Sequence, residues 1–368
     1  MEKIKAKDDV LWRQLWSLGA LYASVVIGWI AYYNYQPQLL HAYNFNDLTL
    51  FLFISQGIIL AIVPLFAGKL GDKFRQSAGQ RLPIISAGIS FAAMTFMAVA
   101  FTLVLEPGAI MRWIIPVLVV LWLASMALFT SPAISTVELF APSDKLPKAM
   151  AILTIVYGLI YALEPIVVDL VEFLGAPLTF VTGGVLVTVS GLLLKKNTGK
   201  VIDVVKEAVD YKGKMKSDYS YSLFLGLAFG IITTVLFNLF PDWIEGKIGS
   251  DIHGDLVVSI VLASAALVSI PVSNVVQKQG LYLPVLMSIA LCFIILFGVY
   301  YFNNAVMIVG LLIVFAIFYS MASVSLLPLA LSVINHKNKV FGVGVFYCGF
   351  EIPNGIVEAF IVAQFGGL

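Results

Sequence analysis

In a chain of 368 residues, hydrophobic side chains make up 60% and charged ones only 12%, whereas soluble domains are about half apolar and about a quarter charged. With a mean hydropathy of +0.98, the composition describes an integral membrane protein. A net charge of +1, with Lys and Arg dispersed between apolar runs, excludes a nucleic-acid-binding face. Cys292 and Cys348, both inside apolar runs, exclude a disulfide framework.

A helix needs about 20 apolar residues to cross a hydrocarbon core of about 30 Å. Eleven stretches qualify, at residues 14–37, 48–69, 82–105, 110–133, 148–171, 175–194, 220–240, 255–276, 281–302, 305–333 and 340–365, which predicts an all-α integral membrane fold. The first run is too long for a signal-peptide core and no small-residue cleavage site follows it, so it reads as a retained span. A cytoplasmic N-terminus places twenty of the 22 Lys and Arg on the cytoplasmic face and leaves Arg112 and Lys247 outside. That bias sets the orientation in a cytoplasmic (inner) membrane. An odd number of spans then carries the C-terminus to the outer side.

The first span ends in Trp29, Tyr32, Tyr33, Asn34, Tyr35 and Gln36. Tyr33 and Tyr35 are read as interfacial belt residues, and Trp29 and Tyr32 as candidates for a solute cavity. Gln56 falls about 12 Å into the second span at 1.5 Å per residue and offers a donor and an acceptor to a hydroxylated solute. Between spans two and three comes the densest chemistry of the chain: Gly68, Lys69, Gly71, Asp72, Lys73 and Arg75, then Gly79, Arg81 and Pro83. Gly68 and Gly71 permit close approach of a neighbouring helix. Asp72, placed near the start of span three, can meet backbone donors at a helix end and pair with Lys73, Arg75 or Arg81.

A carboxylate at the bilayer centre costs about 2.5–3.5 kcal/mol on insertion scales, which marks it as a functional candidate. Glu351, about 16 Å into span eleven at 1.5 Å per residue, is the foremost, followed by Glu164 in span five; both are proton-coupling candidates. Glu358 is placed near the outer boundary and read as solvated. Pro165 and Pro353 stand beside two of these acids and free the carbonyls of Tyr161 and Gly349. Protonating such a carboxylate removes the desolvation cost of the anion and shifts the balance between two conformations. Tyr157, Tyr161, Tyr319, Tyr347, Asn238 and Asn354 add polar groups within spans, although spacing alone does not say which face they occupy. Residues 195–219 are the longest polar segment and read as a cytoplasmic linker, with Val201, Val204, Val205 and Ala208 patterned for a short amphipathic helix. This linker divides residues 1–194, with six spans, from residues 220–368, with five.

The two parts echo one another. Tyr157-Gly158 and Glu164-Pro165 in span five face Tyr347-Cys348-Gly349 and Glu351-Ile352-Pro353-Asn354 in span eleven, six spans later. Internal repeats of this kind build transporters. The loop Gly68-x-Leu70-x-Asp72-Lys73 resembles the signature loop of the major facilitator superfamily. The spacing of Asp72, Gly79, Arg81 and Pro83, with Gly28-Trp29, Gln56-Gly57 and Pro83 to Gly88, is similar to its sucrose-transporter-like branch, related to glycoside-pentoside-hexuronide cation symporters. The resemblance covers residues 25–90. It implies a two-half helical bundle and alternating access, with Gly68, Gly71, Asp72, Lys73, Arg75 and Arg81 as a conformational latch between the halves. It also implies departures: Ala133 stands where the family carries an Arg five residues before the acid, here Glu138. The matching second-half loop, Val272 to Gly280, has no acid, and a twelfth span is missing.

His41, His253 and His336 fall in separate loops, so no metal site is expected, and no phosphate-binding Gly-x-x-x-x-Gly-Lys pattern provides an ATP motor. No cofactor or catalytic group is expected. Three readings stay open. The first is a proton- or cation-coupled secondary transporter of a small hydrophilic solute, by resemblance a sugar or glycoside. The second is a transporter-like scaffold docking a membrane protein partner at the missing twelfth helix. The third is a lipid or amphiphile flippase.

Overall fold

The computed structural model describes residues 9–78, 81–105, 108, 111–205, 216–249 and 252–365. Among them, 11 helices are long and apolar enough to cross a membrane, and no strand occurs. In chain order they are α1 (Trp12–Ala42), α2 (Thr49–Ala78), α3 (Leu82–Val104), α4 (Ile114–Ile134), α5 (Leu146–Ala162), α6 (Glu164–Val205), α7 (Tyr219–Thr234), α8 (Gly254–Gln279), α9 (Tyr282–Tyr301), α10 (Ala305–Ser332) and α11 (Lys339–Phe365). Helices dominate because, in hydrocarbon, every backbone N–H and C=O must find its partner within its own segment. Their outer faces are apolar too: Phe51, Phe66, Phe101, Phe173, Leu267 and Val306 are all exposed.

The helices run alternately between two ends of the bundle, marked by Asp72 and Arg112. Helix α1 lies along the later part of α6, with Asn197 donating to Ser17 at 2.6 Å and Ser24 bonded to Ser190 at 3.0 Å, and its Tyr35 donates to the Val171 carbonyl ahead of the break in α6 at 2.7 Å. The chain reverses at Gly175, whose φ of 72° and ψ of 161° belong to glycine alone. The fifth and sixth spans therefore meet there, at the first residue expected of the sixth. The fifth span is not one helix, however. It breaks at Leu163 (φ −96°, ψ 11°), just ahead of Glu164-Pro165, because Pro165 has no N–H for the Tyr161 carbonyl.

The segment expected to begin a linker at Lys195 is helical through Val205 as the end of α6. Residues 206–215, which carry the rest of the expected amphipathic helix, lie outside the described residues. Helix α7 is extended by a π-helical turn, Val235–Leu239, and a short helix, Phe240–Ile244, with Pro241 at its start. Between α4 and α5 stands another short helix, Val137–Phe140.

The two cations expected outside both sit at helix C-termini. Arg112 donates to the Tyr43 carbonyl beyond α1 at 3.3 Å and lies over the Phe45 ring. Lys247 Nζ donates to the carbonyls of Val299 and Tyr300, at 3.1 and 2.8 Å, where α9 ends. Both positions match the negative end of the helix dipole.

Candidate functional site

From the Asp72 end to the depth of Gly57, α2 and α11 approach so closely that a Cβ at several glycines would press into the neighbouring helix. A Cβ on Gly68 would stand 2.7 Å from the Phe341 Cα, one on Gly71 2.6 Å from the Val340 Cγ1, and one on Gly57 2.9 Å from the Gly355 Cα. Asp72 lies within the last turns of α2, not at the start of span three as expected. Its carboxylate accepts hydrogen bonds from the Val340 N–H at 3.1 Å and the Phe341 N–H at 2.8 Å. It therefore closes the free N-terminus of α11, satisfying two backbone donors and the positive end of the helix dipole.

The loop cations take other partners. Arg81, almost wholly buried, is ion-paired with Glu138 and donates to the Ser135 carbonyl at 2.7 Å. Arg75 lies 3.8 Å from the same carboxylate and donates to the His336 carbonyl. Glu138 thus receives its cations from the loop. Lys73 is exposed and joins none of these bonds; Gly79 lies outside the described residues.

The second assembly is a cavity of about 760 Å³ between the first six helices and the last five. Of the expected residues, Trp29, Tyr157, Tyr161, Glu164, Tyr319, Glu351 and Asn354 line it. Gln56 and Tyr32 do not; they stand behind the wall, fully buried, with the Tyr32 hydroxyl donating to Gln56 Oε1 at 2.8 Å. The Gln56 amide in turn donates to Glu358 Oε2 at 2.7 Å, joining α2 to α11 where the two helices pack together at the cavity wall. Asn354 donates to the other oxygen of Glu358 at 2.8 Å, and Asn238, in the π-helical turn, donates to Asn354 at 2.9 Å.

Three expectations are corrected here. Glu358 is not solvated at the boundary but bonded at the cavity wall. Tyr33 lines the cavity instead of forming a belt, and Tyr35 is buried between α1 and α6. Their rings point inward because α1 is covered by neighbouring helices along most of its length.

Two lining carboxylates were missed: Asp169, two residues before the expected end of span five, and Asp255, at the first residue expected in span eight. A signal did exist for α11. Tyr347, Glu351, Asn354 and Glu358 are spaced four, three and four residues apart, a single stripe on a helix. Tyr157, Tyr161, Glu164 and Val168 repeat that spacing in α5 and its continuation, and all eight residues line the cavity.

Aromatic rings fill the intervals. Tyr22 stacks with Tyr157 at 6.3 Å between centroids, and Tyr157 meets Tyr161 at 4.7 Å; opposite them Phe229 meets Tyr319 at 5.7 Å and Phe350 at 5.4 Å. Glu351 makes no hydrogen bond or ion pair among the described residues. Nor do any three His, Cys, Asp or Glu among them gather into a group that could hold a metal ion.

Eleven membrane-crossing helices around a cavity set between two helix groups have the architecture of a membrane transporter. The family model of the Major Facilitator Superfamily matches residues 18–356, and the chain belongs to that superfamily. Among solved structures it is similar to the human organic anion transporter MFSD10 (TETRAN), with a TM-score of 0.68 at 10% identity over 96% of this chain and 94% of that one. It is similar as well to the proton:xylose symporter XylE, with a TM-score of 0.66 at 13% identity over 97% and 92% of the two chains. A bacterial homologue of the iron transporter ferroportin in its outward-facing state gives 0.63 at 13% identity over 96% and 92%. At these identities the likeness is one of fold. No curated protein sequence matches.

Proposed function

We propose that this protein is a secondary active transporter that carries a small polar solute across the cytoplasmic membrane by alternating access, driven by a proton gradient. Its N-terminus and Asp72 end face the cytoplasm. Residues 1–194 and 220–368 act as the two rocking halves, and Glu351, Glu358 and Glu164 carry the coupling protons. The observation that carries this reading is the bond from Gln56 of α2 to Glu358 of α11, which ties the halves together at the wall of the cavity through one titratable group. A hydrogen bond to a carboxylate is about twice as strong as one between neutral groups, so a proton arriving on Glu358 loosens the tie between the halves. Glu351, two helical turns away on the same stripe and without a partner, offers the neighbouring proton site.

Asp72, Gly68, Gly71 and Arg75 serve as the cytoplasmic latch between the halves, engaged in this conformation, while Arg81 holds Glu138 and Ser135 within the first half. The resemblance of residues 25–90 to the sucrose-transporter-like branch supports a sugar or glycoside as the solute. The test is uptake into proteoliposomes under an imposed pH gradient. Solute accumulation that collapses with the gradient, and that Glu358→Gln and Glu351→Gln uncouple while exchange persists, supports the reading; accumulation indifferent to the gradient and to both substitutions refutes it.

A further inference from the structure

The charge of the cavity wall is one-sided. Glu164, Asp169, Asp255, Glu351 and Glu358 line it, and among the described residues no Lys, Arg or His does. Among the described residues, only Glu358 of these five is hydrogen-bonded to protein donors. An anion in a site walled by apolar groups needs a counter-charge, which must come from a proton or from whatever the cavity admits. An anionic solute meets repulsion from the carboxylates of α6, α8 and α11.

A bare metal ion is disfavoured for a different reason: the carboxylates are spread around a large space, and no three His, Cys, Asp or Glu among the described residues converge. Between the carboxylates the wall offers ring faces from both helix groups, Tyr22, Tyr157 and Tyr161 on one side and Phe229, Tyr319 and Phe350 on the other. Aromatic faces attract cations through the ring quadrupole, and quaternary ammonium groups are recognised in this way. At about 760 Å³ the space is of the size of small-molecule sites, roughly 300–1,000 Å³.

From the cavity, its ring faces and its uncompensated carboxylates together we infer that the solute is an organic cation, an amine or quaternary ammonium compound with an apolar or aromatic body. This rests on the transport reading and puts a cationic substrate class in place of the sugar or glycoside to which the resemblance of residues 25–90 points. It also gives coupling a simple form, because protons and the cation compete for the same carboxylates.

Tetraphenylphosphonium, which has no titratable proton, probes binding to the purified protein by calorimetry. The expected results are saturable binding with proton release, roughly tenfold weaker for Glu351→Gln and for Asp255→Asn at unchanged melting temperature, and recovered for Glu351→Asp. No binding, or binding indifferent to both charge-removing substitutions, overturns the inference. Proteoliposome flux separates it from the reading on which it rests. Radiolabelled tetraethylammonium exchanged against protons supports both. Uptake of xylose with no cation flux overturns the cation class and leaves transport standing. Carboxylate-dependent binding without flux of any solute keeps the cation site and removes transport.

Discussion

Glu358 takes one amide from its own helix and one from α2, so in this conformation Gln56 is bonded within the wall and does not face the cavity. The Gln56 side chain is wholly buried and receives the Tyr32 hydroxyl while giving its own N–H to Glu358. Gln56→Leu strands both partners, and an unsatisfied buried polar group costs about 1–3 kcal/mol. The expected result is a melting temperature lowered by several degrees together with a shifted pH profile of uptake; Tyr32→Phe, which strands only the carbonyl of Gln56, lowers stability less and leaves the pH profile in place. The sequence pointed to Gln56 and Glu351 because polar groups in apolar runs are conspicuous. Glu358 was misplaced because depth was counted along α11 alone, whereas its surroundings come from α2. The four-three-four spacing from Tyr347 to Glu358 was the legible clue, since residues three and four apart share a helix face.

Among the elements, α2 and α11 form the tightest contact between the halves, and the seam is set by glycine. At Gly68 even a methyl group would overlap the Phe341 backbone, which cannot swing aside as a side chain can. Gly68→Leu is therefore expected to prise apart the Asp72 end and abolish accumulation, with folded protein still recovered by size-exclusion chromatography. At Gly175 the constraint is conformational: a side chain at φ 72° costs about 1–3 kcal/mol, so Gly175→Val lowers the melting temperature without touching the cavity. Lys247→Met removes a cation from the end of α9 and costs only about 0.3–1 kcal/mol, read as a small thermal shift. The eleven spans were readable because each must hold about 20 apolar residues. Their internal breaks were less so: Pro165 announced the interruption at Leu163, but the π-helical turn of α7, which places Asn238 against Asn354, depends on its neighbours. Helix α6 outran its expected end at residue 194 because Lys195 and Lys196 are as compatible with an exposed helix as with a linker.

For the whole molecule, the asymmetry between the two ends sets the conformation that is drawn. At the Asp72 end a carboxylate caps α11, a glycine seam joins it to α2, and Arg75, Arg81 and Glu138 lock the turn between α4 and α5. At the other end the cavity reaches Asp255 and Ser259 at the start of α8. Ser131, on α4 toward the Asp72 end, lines the cavity as well but is only 1% exposed. Access to these two serines reports which end is open. In a background with Cys292→Ser and Cys348→Ser, a cysteine at position 259 is expected to react with an impermeant maleimide added on the side away from Asp72. A cysteine at position 131 is expected to react at least tenfold more slowly from the Asp72 side. Adding Asp72→Asn replaces a charge-assisted cap, roughly twice as strong as a neutral one, by a weaker acceptor and shifts the population toward the state open at the Asp72 end. Labelling at position 131 then rises and labelling at position 259 falls. Two rates that rise together would mean a loosened bundle, and two rates that do not move would mean that Asp72 stabilises α11 without governing access; only the reciprocal change makes the bond from Asp72 to Val340 and Phe341 a gate.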